Sequence, residues 1–282
     1  MKPKSFSKKI NKIISFLVGK KKRCSPFTFE VHITDYCNLN CQGCFHFSPL
    51  AKKGSTYDLG EFERDFRRMH VLFENDVGWI HLMGGEPLLC NNVEDYLAVA
   101  RHHFPFSKIS LITNGILLPK SSDHFFKTCR DLDIEIAITR YPIAFDYDFL
   151  ESFVRSKECR VRLFGNRGGE SGMKKMNLQN GDLQNYKRNF LSCNLSNTCI
   201  TLDRGKLFYC SVPAYINFFN DFFGQSFDNS SEYILLEKST KKEIVEFLRC
   251  PHVFCKYCDV KNRERNRLPW EVSQKKIEEW CR

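Results

Sequence analysis

Apolar positions along the chain change their period in a regular order. Phe27 to Ile33 (Phe-Thr-Phe-Glu-Val-His-Ile) alternates and is rich in aromatic and β-branched residues, which predicts a first strand. Tyr57 to Asn75 switches to the helical period: Phe62, Phe66, Met69 and Phe73 form one apolar stripe, with charges opposite. The same reading predicts strands over Trp79–Met83, Lys108–Thr113, Ile134–Thr139 and Arg160–Phe164, and a short sixth strand near Met173–Leu178. Helices are predicted between them over Val93–His103, Asp123–Asp131 and Phe145–Arg155. Strands alternating with helices imply a parallel sheet of α/β class. Five or six units are too few to close an eight-unit barrel, so an open, partial (β/α)6 barrel fits. Ligands of such a sheet sit at the C-terminal strand ends.

The two ends of the chain break this rhythm. Before the first strand, Phe6, Ile10, Ile13, Ile14 and Leu17 recur at helical spacing with lysines between them. Such a basic amphipathic arm can lie on an anionic membrane surface, pack on the body, or fray. After residue 190 the alternation of Ile200 to Tyr209 about Asp203-Arg204-Gly205 predicts a β-hairpin. The expected division is an arm over 1–24, a partial barrel over 25–190 and a small cysteine-rich domain over 191–282.

Composition narrows the setting. In 282 residues, 42% hydrophobic and 27% charged content reads as globular, with room for one large or two smaller domains. The net charge of +10 is local. Residues 1–23 hold nine of the 43 Lys and Arg and no acid, which leaves 34 basic against 33 acidic residues in the body. The charge therefore speaks for a tether more than for a substrate. Without aromatic interleaving or an RNA-binding motif, no nucleic-acid partner is expected. The run Ile13 to Val18 is too short for a signal peptide's core and lacks a cleavage site, and no stretch approaches the ~20 apolar residues of a membrane span. Fourteen cysteines without a visible signal peptide indicate a reducing, cytoplasmic setting, peripheral to the inner membrane face if the arm tethers it. In that setting thiols serve metal better than disulfides.

Directly after the first strand stands Cys37-Asn-Leu-Asn-Cys41-Gln-Gly-Cys44, a C-x3-C-x2-C triplet. Three thiolates on one loop can hold three irons of a cubane and leave the fourth open for a small ligand. Half of a structural zinc site is the alternative, although zinc sites pair cysteines as C-x2-C or C-x4-C. The triplet resembles the radical S-adenosylmethionine (SAM) enzymes, whose open iron chelates the amino and carboxylate groups of SAM. Gly84-Gly85-Glu86-Pro87 after the second strand resembles that family's glycine-rich SAM motif. Read alone it is an ordinary strand-to-helix turn. The resemblance implies that this backbone approaches SAM and that Glu86 sits where it can accept from the SAM amino group. Thr139 or Arg140 at the end of strand four is the implied ribose contact, and Asn114 at the end of strand three is a further polar candidate. Polar strand ends facing water are the plain alternative for each. One departure stands out: many members carry an aromatic residue just before the third cysteine, where this chain has Gly43, with Phe45 just after. His46 reads as a hydrogen-bonding surface residue.

A second set of cysteines follows late: Cys193-x5-Cys199-x10-Cys210, then Cys250-x4-Cys255-x2-Cys258. A hairpin bracketed by cysteines and followed by C-x2-C resembles the SPASM and twitch auxiliary-cluster domains of the same family. Six cysteines cannot supply two clusters with four thiolates each, which favours the one-cluster form. Cys199, Cys210, Cys255 and Cys258 are the implied core set, with Cys193 the close rival and Cys250 the weakest. A zinc knuckle or ribbon is the alternative. Cys24, Cys90, Cys129, Cys159 and Cys281 are isolated and read as ordinary thiols. The resemblance implies a SAM-binding 4Fe-4S cluster, SAM, an auxiliary 4Fe-4S cluster and an external reducing electron donor. It also implies cleavage of SAM to a 5′-deoxyadenosyl radical that abstracts hydrogen from a substrate, giving oxidation or dehydrogenation. With no added peptide-binding segment before strand one, the expected substrate is small or sugar-like. A peptide maturase, a glycyl-radical activase and a non-catalytic zinc protein are the competing readings.

Overall fold

The computed structural model describes residues 26–165, 172–173, 175–179, 185–196, 198, 200–265 and 268–281. The basic arm, Cys24 and Cys199 lie outside them. Strands β1 (Phe27–Thr34), β2 (Val77–Gly84), β3 (Lys108–Thr113), β4 (Ile134–Thr139) and β5 (Arg160–Phe164) alternate with helices α1 (Leu59–Phe73), α2 (Val93–His103), α3 (Asp123–Asp131) and α4 (Tyr147–Ser156). Each strand pairs in parallel with the next. Three of the helices start on side-chain caps: Asp58, Ser122 and Asp146 accept from the backbone N–H of Glu61, Phe125 and Phe149.

The sheet's two faces differ as the alternation demands. Phe29, Val31, Ile33, Ile80, Leu82, Ile109, Leu111, Ile134, Ile136 and Ile138 are buried in one core with the α1 stripe of Phe62, Phe66, Met69 and Phe73. Each such side chain contributes about 1.5–3 kcal/mol on burial. A one-residue slip would turn a whole strand's set outward, so the register is firmly specified. The opposite face carries Glu30, His32, His81, Ser110, Glu135 and Thr139. Cross-strand pairing sets Glu30 beside His81, His81 beside Ser110 and Ser110 beside Glu135. This polar face lines the inside of the open sheet.

The α/β class with an open, parallel-dominated sheet holds, but the sixth parallel strand comes from elsewhere than expected. Met173–Leu178 adds no sixth unit. Gly172–Met173 forms β6, which pairs antiparallel with β10 (Leu268–Pro269) in a separate two-stranded sheet. The next N–H groups are taken by loops: Met176 donates to the Gly43 carbonyl (2.7 Å) and Leu178 to the Trp280 carbonyl (2.6 Å). The hairpin is present as β7 (Ile200–Asp203) and β8 (Lys206–Phe208), and β7 lies parallel to β1. With β9 (Tyr233–Leu235) the main sheet runs β5-β4-β3-β2-β1-β7-β8-β9. The hairpin thus continues the sheet that holds the first cysteine loop. Helices α5 (Tyr186–Ser192), α6 (Ser211–Phe223), α7 (Lys241–Arg249) and α8 (Val260–Arg265), not foreseen from the sequence, complete the C-terminal third. Among the described residues, no helix is long and apolar enough to cross a membrane.

Candidate metal centre

Because β1 to β4 run in parallel, the loops after them share one edge of the sheet. That edge carries Cys37, Cys41 and Cys44, then Gly84 to Pro87, then Asn114, then Thr139 and Arg140. The two glycines have a definite job there. An added Cβ would stand 1.9 Å from the Thr34 carbonyl oxygen at Gly84 (φ +148°) and 2.1 Å from that of Tyr36 at Gly85. The backbone they bring close is the chain's own. Gly85 N–H donates to Thr34 (2.8 Å) and Glu86 N–H to Tyr36 (2.9 Å), which clamps the exit of β2 onto the start of the cysteine loop.

Glu86 is held by partners within the chain. Its side chain is fully buried and accepts from the Thr113 hydroxyl (2.6 Å), Asn114 N–H (2.8 Å) and Leu88 N–H (3.1 Å). Burial pushes its carboxyl up to about 7, against the pull of those donors. These bonds tie β2's exit to β3's end. Asn114 extends the tie: its side-chain amide donates to Asn38 Oδ1 on the cysteine loop (2.8 Å). At the end of β4 the two ribose candidates separate. Arg140 turns to α4, where it reaches Asp148 and Glu151 (3.4 and 3.9 Å). Thr139, one residue earlier, shares the inner face with Glu135 and Ala137.

The loop's thiols sit against an apolar wall of Leu39, Ile116, Tyr141, Ile143 and Trp270. Burial pushes Cys37 and Cys41 each up to about 12, with neighbouring thiols adding to it, and raises Cys44 as well. Donors nevertheless point at the sulfurs. Leu39 N–H lies 3.5 Å from Cys37 Sγ, and the Trp270 indole N–H lies 3.1 Å from Cys41 Sγ. Thiols that are costly to ionise alone but supplied with sulfur-directed donors suit a positively charged iron core, which deprotonates its ligands.

Sequence reasoning missed where those partners come from. Residues 271–273 run antiparallel along the loop: Gln42 N–H donates to Glu271 (2.9 Å) and Ser273 N–H to Asn40 (2.7 Å). The fully buried Trp280 donates its indole N–H to the Cys44 carbonyl (2.9 Å). Gly43 is explained by Lys175 and the same C-terminal segment. It has φ +65°, and an added Cβ would meet Lys175 Cβ at 2.7 Å and the Glu279 carbonyl at 3.0 Å. The position of the usual aromatic is filled by other parts of the chain. Phe45 lies instead against the Arg263 guanidinium, 5.8 Å from its ring centre. His46 is half-buried and bonded inward, a correction to the surface role. Its Nδ1 is 2.9 Å from His32 Nε2, and His32 Nδ1 is 3.0 Å from Asp35. Burial, with His32 beside it, holds the His46 imidazole down at about 3.

A second cavity, of about 20 Å³, is lined by Cys193, Cys210, Cys255 and Cys258 together with Tyr209, Phe254 and Arg263. Cys193, the rival ligand, stands with the other three; the expected Cys199 lies outside the described residues. Cys250 is exposed and does not line the cavity. Asn189 on α5 secures the C-x2-C turn by donating to the carbonyls of Cys255 (2.9 Å) and Cys258 (2.7 Å). The isolated Cys90, Cys129 and Cys159 are buried in the core, and Cys281 is half-buried. Among the described residues, no three His, Cys, Asp or Glu side chains converge tightly enough for one metal ion. A mononuclear zinc would draw its thiolates to about 3.8 Å from one another. A cubane seats each on a separate iron and needs no such convergence.

Comparison with known proteins agrees with this geometry. Residues 18–137 match a family model described as a 4Fe-4S single cluster domain. GTP 3′,8-cyclase of Sulfurovum sp. (strain NBC37-1) is 32% identical over 93 residues, covering 33% of this chain and 28% of that protein. The Campylobacter fetus subsp. fetus (strain 82-40) enzyme of the same name is 30% identical over 93 residues, 33% of this chain and 29% of that protein. The chain thus matches under a third of these relatives' length. The structure of BtrN in complex with AdoMet and 2-DOIA superposes with a TM-score of 0.50 over 82% of this chain and 92% of that one, at 17% identity, and shares its fold. A cysteine triplet and a Gly-Gly clamp on adjacent loops of an open parallel sheet, together with these likenesses, support the radical SAM family for this chain.

Proposed function

We propose that this chain is an enzyme that reductively cleaves S-adenosylmethionine at a 4Fe-4S cluster held by Cys37, Cys41 and Cys44, and oxidises a small, hydroxyl-bearing substrate. The observation that carries it is the triplet's setting: thiols against an apolar wall, at the C-terminal edge of a parallel sheet, clamped by Gly84 and Gly85. When bound, cluster and SAM supply a 5′-deoxyadenosyl radical able to take hydrogen from an unactivated carbon. The chain's own residues position and exclude. Leu39, Ile116, Tyr141, Ile143 and Trp270 keep water from the loop. Asn114 holds Asn38, Glu86 holds the end of β3, and Thr139 faces the lumen as the ribose contact.

Cys193, Cys210, Cys255 and Cys258 are the ligands of an auxiliary 4Fe-4S cluster in this reading. An acceptor there suits net dehydrogenation. The substrate class is supported by the inner face. Thr201 Oγ1, the Tyr215 hydroxyl and His81 Nδ1 are buried atoms without a hydrogen-bond partner. Glu30 lies between Thr201 and His81 in the sheet. Each unmet buried group costs about 1–3 kcal/mol, which a polar substrate would recover.

The test is anaerobic reconstitution of the full chain with iron and sulfide. Roughly eight irons per chain and 5′-deoxyadenosine formation with SAM and a strong reductant are expected. Zinc without sulfide, or no 5′-deoxyadenosine from the iron-loaded protein, overturns the reading. Deuterium should pass into 5′-deoxyadenosine from labelled polyols and not from labelled peptides, with less transfer in Thr201→Val and Tyr215→Phe. The reverse preference would overturn the substrate class.

A further inference from the structure

Arg263 occupies an unusual position between the two cysteine groups. It lies in α8, is only 4% exposed, and is the one cation among the described residues lining the second cavity. Its Nη2 donates to Cys193 Sγ at 2.9 Å. Its guanidinium carbon lies 5.8 Å from the ring centre of Phe45, the residue that follows Cys44. One side chain therefore bonds a sulfur of the second group and touches the covalent neighbour of the first.

Burying a guanidinium costs several kcal/mol unless negative charge stands beside it. A guanidinium keeps its charge in proteins, and this one is buried with Nη2 2.9 Å from the Cys193 sulfur. Thiolates of a bound cluster supply that countercharge permanently. The reduction potential of an iron–sulfur cluster depends on its net charge, the hydrogen bonds to its sulfurs and its exposure. Adding one electron to a cluster adds one negative charge. A fixed cation bonded to a ligand sulfur favours that state over the oxidised one, most strongly where water is excluded.

We propose that Arg263 is a positioning residue that raises the reduction potential of the auxiliary cluster and thereby biases it toward accepting an electron from the substrate side. Phe45 holds the guanidinium in place by a cation–π contact, which couples this tuning to the SAM-binding loop. The proposal rests on the auxiliary-cluster reading and is separable from it by experiment. Wild-type full chain, Arg263→Met and Arg263→Lys are reconstituted anaerobically and titrated with mediators while reduced-cluster signals are followed by electron paramagnetic resonance. The Cys37→Ala/Cys41→Ala/Cys44→Ala variant identifies which signal belongs to the auxiliary cluster. With full iron content, Arg263→Met should lower the auxiliary potential by at least tenfold in the reduction equilibrium, about 59 mV for one electron. It should leave the SAM-binding cluster's potential unchanged, and Arg263→Lys should recover most of the shift. If Arg263→Met does not load, Arg263→Gln keeps an N–H donor without the charge and should show the same downward shift. Unchanged auxiliary potentials in the loaded Met or Gln variant would overturn the role of Arg263. Four irons and a single signal in the wild type would instead overturn the auxiliary-cluster reading, and this proposal with it.

Discussion

Cys37, Cys41 and Cys44 come from eight consecutive residues of one loop, whereas Cys193, Cys210, Cys255 and Cys258 come from the end of α5, the start of α6 and the turn before α8. The first group is ordered by the Gly84-Gly85 clamp at the start of its loop and by residues 271–273 along it. The second is ordered by Asn189 holding the Cys255 and Cys258 carbonyls and by Arg263 at Cys193. The first loop receives a neutral donor, the Trp270 indole; the second cavity receives a buried cation. A local loop can leave one coordination position open beside its three thiolates, while four thiolates from separate segments enclose their cavity. That contrast fits an open, ligand-binding cluster and a closed, electron-handling one.

The sharpest way to break the comparison is to remove each group separately. Alanine at Cys37, Cys41 or Cys44 should bring 5′-deoxyadenosine to background and iron to about four per chain. Alanine at Cys255 and Cys258 should cost the same iron but leave slow SAM cleavage measurable by chromatography. Loss of SAM cleavage in both would mean that the two groups do not divide the labour.

Gly85→Ala tests the clamp. Its Cβ would stand 2.1 Å from the Tyr36 carbonyl oxygen, so the two segments must part. The expected cost is about 2–4 kcal/mol in denaturant unfolding, with iron lost from the first group and retained in the second.

Glu86 gives the first region a pH dependence. Its folded carboxyl titrates near 7, above its ordinary 4.5. Between those values the folded state binds more protons than the unfolded, so stability of the metal-free chain falls as pH rises across that window, by up to roughly 3 kcal/mol. Glu86→Gln should lower stability at low pH through its lost acceptor and flatten this slope. An unchanged slope in unfolding curves taken from pH 4.5 to 7 would contradict it. Trp270→Phe, which removes one N–H···S bond while keeping the apolar wall, should have the smallest effect, about 1 kcal/mol, with iron kept in both groups.

The strands and helices from Phe27 to Phe164 were legible because each carries its own period: alternation for β1 to β5, and a four-residue stripe such as Phe62, Phe66, Met69 and Phe73 for a helix. Chemistry written in short spacings was legible for the same reason. What stayed illegible shares a cause as well. The partners of Glu86 within the chain, Thr113 and Asn114, lie at the end of another strand. Gly43 looked like a missing aromatic until Lys175 and Glu279 were found where that side chain would go. The Met173–Leu178 stretch has a strand-like pattern, but its N–H groups were claimed by Gly43 and Trp280.

What could be read from the amino acids alone was therefore the parallel α/β order, the three-thiolate loop and the glycine pair after β2, since a period or a short spacing within the sequence marks each. The turn of Arg140 toward α4, the gathering of Cys193 with Cys210, Cys255 and Cys258, and the Trp270 and Arg263 bonds to sulfur came only with the folded chain. Most of those relations join residues far apart in sequence. They exist because burial brings their segments together, and no local spacing encodes which buried donor will meet which buried sulfur.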